Sequence, residues 1–216
     1  MSIQSREDEL FAEWSRSRPD FVKDGVVDEQ AYLSSSPKLL LVLKEVNDPG
    51  GGGWDLREVL REAVRKPTWD NVTRWIEGLQ ALPEHIDWEN LNEIEQKRRR
   101  KALRSIVAVN LKKSPGGHTS DPVAVEEAAK KDKAFFNRQF QLYKPDFVIC
   151  CGTSDLFHKI VLFPTEPDWC RTKRGVWFHE YEKGRRVIAF SHPGARCAPY
   201  LLHYGLIDAV REIQNM

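Results

Sequence analysis

The sequence has almost no excess of charge of either sign: 33 Lys and Arg face 32 Asp and Glu, a formal net charge of +1. That balance excludes a uniformly basic surface and leaves any attraction for nucleic acid to local clusters. Cysteine is sparse. Cys150, Cys151, Cys170 and Cys197 form neither a C-x-x-C pair nor a zinc-ribbon spacing, so no metal site is expected and a reducing cytoplasm suits them. No apolar run approaches the roughly 18 residues needed to span a bilayer. The N-terminal MSIQSREDELFAEW carries acids and helical periodicity where a secretory signal needs a basic start and an apolar stretch. Internal repeats and low-complexity tracts are also missing. These absences lead to the expectation of a soluble, cytoplasmic, monomeric protein with no metal, no organic cofactor and no membrane partner. Its 216 residues suit one large domain spanning 1–216, with a helical extension over 1–37 and a core over 38–216.

The apolar residues that are present are grouped in short, continuous runs. Lys38 to Leu43, Ile106 to Val109 and Phe147 to Cys151 read as strands buried on both faces, the pattern of a parallel sheet. Val176–His179 and Val187–Phe190, separated by Lys183-Gly184, read as a hairpin. Helical spacing is expected near 5–17, from Trp54 to Val64, over 70–80, over 88–103, from Asp121-Pro122 to about Tyr143, and over 199–213. Adjacent residues on a strand face opposite ways, so Cys150 and Cys151 read as small buried hydrophobes on the two faces of one strand. The expected class is α/β, a three-layer sandwich with a mainly parallel central sheet.

Binding sites in such sheets lie at the carboxyl ends of the strands. Three of the expected strands end in polar groups: Lys44-Glu45-Val46-Asn47-Asp48 after the first, Asn110 after the second, and Ser191-His192 after the last. Two basic clusters add to this pattern. Lys97 to Lys101 reads either as a solvated helix face or as phosphate attraction, and Lys112-Lys113 follows directly on the Asn110 strand end.

In LLLVLKEVNDPGGGG, IVAVNLKKSPGG, KPDFVICCGTSDLF and VIAFSHPGAR, taken in that order, the chain resembles the uracil-DNA glycosylase superfamily from about Leu39 onward. The resemblance implies a uracil-DNA-glycosylase-like fold and a monofunctional DNA glycosylase, acting in repair or in defence against modified phage DNA. It assigns a water-activating acid to Asp48, with Glu45 as the alternative, and leaving-group stabilisation to His192. Base and substrate contacts fall to Asn47, Gly50, Asn110 and Ser191, and DNA contacts to Lys112, Lys113 and Arg196, the last as a wedge behind the flipped nucleotide. The family's iron-sulfur cysteine arrangement is not reproduced, which implies no cluster. Gly50 to Gly53 stand where one branch places an aromatic barrier, which implies a pocket open to uracil or to C5-modified pyrimidines.

The chemistry explains these residue types. Breaking an N-glycosidic bond puts positive charge on the sugar and negative charge on the base, so a carboxylate and hydrogen-bond donors both favour the transition state. A carboxylate also orients the attacking water. Each residue has a plainer reading beside this one: Asp48 in a Pro-Gly turn, Asn110 capping a strand end, His192 as a bonded loop histidine. Two other functions fit the same pattern, a noncatalytic nucleic-acid-binding module stacking bases on Trp54 or Trp69, and a hydrolase of free nucleosides or nucleotides.

Overall fold

The computed structural model describes residues 1–63, 67–161, 163 and 168–216. Ser2 caps the helix Ile3–Trp14 (α1), and the two-residue strand Gly25–Val26 (β1) follows. Asp28 caps Glu29–Ser34 (α2) before the wholly buried strand Leu39–Leu43 (β2). Asp55 caps Leu56–Glu62 (α3); Val64, the expected end of this helix, lies outside the described residues. Pro67, whose fixed φ suits a first helical position, opens Pro67–Ala81 (α4).

The helix expected over 88–103 is two, Trp88–Leu91 (α5) and Gln96–Arg104 (α6). Tertiary bonds overrule its periodicity: Arg74 takes the carbonyls of Leu91 and Asn92, and Arg99 takes that of Ile94, so those oxygens are not spent on helical bonds. After the strand Ile106–Asn110 (β3), Asp121 caps Pro122–Lys131 (α7) as expected, but the helix does not run on to Tyr143. It breaks at Asp132, which Arg18 holds at 2.8 Å, and restarts as Lys133–Phe140 (α8).

The remaining elements are Phe147–Cys151 (β4), Ser154–Ile160 (α9), Cys170–Arg171 (β5), the hairpin of Trp177–Glu182 (β6) with Arg185–Phe190 (β7), and Pro199–Gln214 (α10). Among the described residues no helix is long and apolar enough to cross a membrane.

The seven strands form one sheet in the order β1-β3-β2-β4-β7-β6-β5. The four central strands β3, β2, β4 and β7 are parallel, and the outer pairings β1 with β3, β7 with β6 and β6 with β5 are antiparallel. The sheet is therefore mixed, with a parallel centre. Side chains leave it alternately: Leu39, Leu41 and Leu43 enter a core with α3, α4 and α10, while Leu40 and Val42 enter a second core with α1, α8 and α9. Cys151 packs in the first core and Cys150 in the second, the opposed facing expected of neighbours on a strand.

Residues 1–37 are built into the body. They supply β1 at the sheet edge, and Leu10, Phe11, Trp14, Phe21, Val26 and Tyr32 to the second core. They also supply two buried acids. Glu7 accepts bonds from Arg57, Tyr143 and the Val26 amide, and Asp24 takes the Lys113 ammonium at 2.7 Å.

Candidate active site

The chain leaves β2 for β3 on one side and then crosses back over β2 to β4 on its other side, so the winding direction reverses at β2 and its carboxyl end borders a topological switch point. The two loops that leave β2 and β3 there continue to pair: Leu111 and Lys112 donate to the carbonyls of Leu43 and Lys44, Gly116 donates to Val46, and Asp48 donates back to Gly116. A Cβ on Gly116 would stand 2.1 Å from Glu45 Cδ, so a side chain there would displace the Glu45 carboxylate.

A cavity of about 390 Å³ opens at this point. Glu45, Asn47 and Asp48 reach it from the β2 loop, Asn110 from the end of β3, His192 from the loop after β7, and Trp54, Thr68 and Trp69 from the segments around α3 and α4. Five residues singled out from sequence at three separate strand ends, Glu45, Asn47, Asp48, Asn110 and His192, thus meet on one wall system. A larger depression of about 820 Å³ lies against α4 and α6, but its arginines are already spent, Arg99 on Asp70 and on carbonyls, Arg74 on carbonyls and Asn71.

The groups in the smaller cavity differ in how they are held. Asn110 is 2% exposed, its backbone N–H is fixed by Asp24 at 2.8 Å, and its side-chain Nδ2 has no partner among the described residues. A buried amide of this kind costs about 1–3 kcal/mol while unsatisfied, so it favours a ligand that supplies an acceptor. Asp48 Oδ2 accepts from Trp54 Nε1 at 2.8 Å and from the Gly52 amide at 3.1 Å, while no bond to Oδ1 is formed among the described residues. Glu45 is bound to the Lys112 ammonium at 2.5 Å, which neutralises its charge locally. His192 Nδ1 accepts from the Gly194 amide at 3.0 Å. Burial, reinforced by the nearby Lys44 charge, holds the imidazole below its ordinary range, so the ring is neutral at neutral pH.

Several expected site residues stand elsewhere. Lys113 is wholly buried, its ammonium taken by both oxygens of Asp24 and by Gln139, so it is corrected from a phosphate contact to a structural cation. Lys112 is mostly buried and engaged with Glu45 and the Pro115 carbonyl. Ser191 and Arg196 are exposed and lie outside the cavity lining. Gly50 does not line it either: it has φ +76°, and a Cβ there would point into open space. The glycine loop ends on a large side chain of the cavity wall. It folds back over Asp48 and delivers Trp54 as an aromatic wall, with Gly51 so close that a Cβ would fall 1.9 Å from Asp48 Oδ2. The basic run 97–101 is also partly structural, since Arg98 is bonded to Glu77 and Arg99 is buried against Asp70.

Trp54 and Trp69 entered the sequence reading only as base-stacking surfaces, and Asp24 and Thr68 not at all. The one signal for Trp54 was its place at the end of NDPGGGGW, where a tight glycine loop returns the next large residue toward the turn that began it. No protein-family model matches the sequence, and no curated protein matches it either. The chemistry of the site therefore rests on its own geometry.

Proposed function

We propose that the protein is a monofunctional DNA glycosylase that hydrolyses the N-glycosidic bond of a flipped pyrimidine nucleotide, uracil in the first instance. The observation that carries this reading is the buried Asn110 amide, unpartnered among the described residues, in a cavity that also presents two indoles, a neutral imidazole and the Asp48 carboxylate, whose Oδ1 takes no bond among those residues. Flat apolar walls with one donor-acceptor edge suit a planar heterocycle whose rim carries carbonyl and N–H groups. The order of the strand-end residues and the resemblance to uracil-DNA glycosylases support the same fold and partner.

The chemistry then divides as follows. Asp48 takes the role of the acid, because it forms no ion pair among the described residues and its donors are the neutral Gly52 amide and Trp54 indole, whereas Glu45 is spent on Lys112. Water held at Asp48 attacks C1′, the bond from C1′ to the base nitrogen breaks with its electron pair passing to the base, and the carboxylate takes the water proton. His192 donates to the base oxygen on which charge accumulates. Arg196, exposed beyond the His192 loop, is free to meet phosphate or fill the vacated stack. Incubation of the purified protein with uracil-containing DNA tests this directly, through free base in solution and abasic sites in the strand.

A further inference from the structure

A chain of hydrogen-bond donors reaches His192 from inside the helical layer. Arg74, on α4, is 7% exposed, and its guanidinium is engaged through Nε on the Leu91 carbonyl, Nη2 on the Asn92 carbonyl and Nη1 on Asn71 Oδ1, each at 2.8 Å. A guanidinium only donates, so the Asn71 amide must turn its oxygen to Arg74 and its NH2 away from it. That NH2 donates to the Pro193 carbonyl at 2.8 Å. The peptide unit carrying this carbonyl also carries the Gly194 N–H, which points the opposite way across a trans bond and donates to His192 Nδ1 at 3.0 Å. With Nδ1 accepting, the proton of the neutral ring sits on Nε2.

We infer that Arg74 and Asn71 are positioning residues that fix the His192 tautomer and strengthen its Nε2–H as a donor through the Pro193-Gly194 peptide. Every link runs in one direction, from the buried cation to the ring. Bonds aligned in this way polarise one another, and a charged donor at the far end adds to the effect. The arrangement makes the imidazole a better donor to a developing oxyanion without placing a second proton on it. The use to which the donor is put rests on the proposed glycosidic reaction; the tautomer does not.

The test is 15N NMR of the His192 imidazole in the full chain, paired with turnover on uracil-containing DNA. The wild-type ring is expected in the Nε2–H form at neutral pH. Asn71→Asp keeps an acceptor for Arg74 but has no proton for Pro193, so the Nε2–H form should lose its dominance and turnover should fall on the order of 10²-fold with KM little changed. In a His192→Ala background the same substitution should cost nothing further, because the relay then ends on no ring. A wild-type ring in the Nδ1–H form overturns the inference without any variant, and so holds even if Asn71→Asp does not fold. An unchanged tautomer in Asn71→Asp, or a loss that adds to that of His192→Ala, overturns it as well. Wild-type protein that releases no base defeats the glycosidic reading and leaves the tautomer measurement to decide the relay by itself.

Discussion

The indole N–H of Trp54 donates to Asp48 Oδ2 at 2.8 Å, tying an aromatic wall of the cavity to the carboxylate proposed to hold the attacking water. The two side chains are six residues apart, with four glycines between them, and a Cβ on Gly51 would displace the Asp48 carboxylate. Trp54→Phe keeps the ring and deletes the bond. It should cost about 1 kcal/mol of stability and lower turnover while the carboxylate loses its orientation. Thermal unfolding and steady-state kinetics on one preparation check both halves.

The acid assignment predicts unequal losses. Asp48→Asn should reduce turnover by about 10²–10⁴-fold, the range for a lost general base. Glu45→Gln should cost less, and its loss should resemble that of Lys112→Met because each removes half of one ion pair. Single-turnover base release for the three variants checks the ranking, and a Glu45→Gln defect larger than that of Asp48→Asn reverses the roles.

Selectivity against bulky bases should reside in Trp54 and not in Gly50. Gly50 has φ +76° and faces open space, so Gly50→Ala should cost about 1 kcal/mol of backbone strain and leave the ratio of substrates unchanged. Trp54→Ala should raise excision of C5-substituted pyrimidines relative to uracil by removing a wall. Competition between the two kinds of DNA in one tube reads the ratio.

Lys113 should matter for stability and not for salt dependence. Its ammonium is buried on Asp24, and breaking a buried pair from one side leaves an uncompensated charge, at a cost of roughly 3–5 kcal/mol. Lys113→Met should lower the denaturant midpoint accordingly, while the slope of DNA affinity against salt stays as in wild type. Arg196→Ala should do the reverse.

Two histidines away from the cavity each contribute to the pH dependence of stability. Burial holds His179 and His203 at about 4 in the folded protein, against 6.5 for the free side chain. Between those values the unfolded chain binds more protons, so stability rises with pH. The contribution is complete above 6.5 and lost as pH falls through about 4. For each ring it is roughly 3 kcal/mol at 1.36 kcal/mol per unit. His203→Gln should shrink the difference in melting temperature between pH 7 and pH 4.5.

Much of the framework was legible because it depends on local pattern. The β2, β3 and β4 runs are buried on both faces and read as parallel strands, and Asp121-Pro122 announced a helix start. What escaped depends on partners distant in sequence. β1 is two residues long and exists by pairing with β3, and the break at Asp132 needs Arg18. Within the site, Asn110 and His192 were visible as polar residues ending apolar runs. The burial of Lys113 was not, because its cation is matched by Asp24 and Gln139, 89 and 26 residues away. The role of Trp54 as a cavity wall was hidden for a related reason: a glycine run shows freedom of path but not the destination of the chain.

The central claim is base excision, and one measurement bears on it most directly. The purified protein is incubated with DNA duplexes and single strands carrying uracil, C5-modified pyrimidines or only natural bases, and chromatography of the small-molecule fraction is paired with alkaline cleavage of the DNA. The account predicts free uracil in amounts equal to the abasic sites formed, with both lost in Asp48→Asn. Intact DNA across the whole panel, or strand scission with no base released, contradicts it.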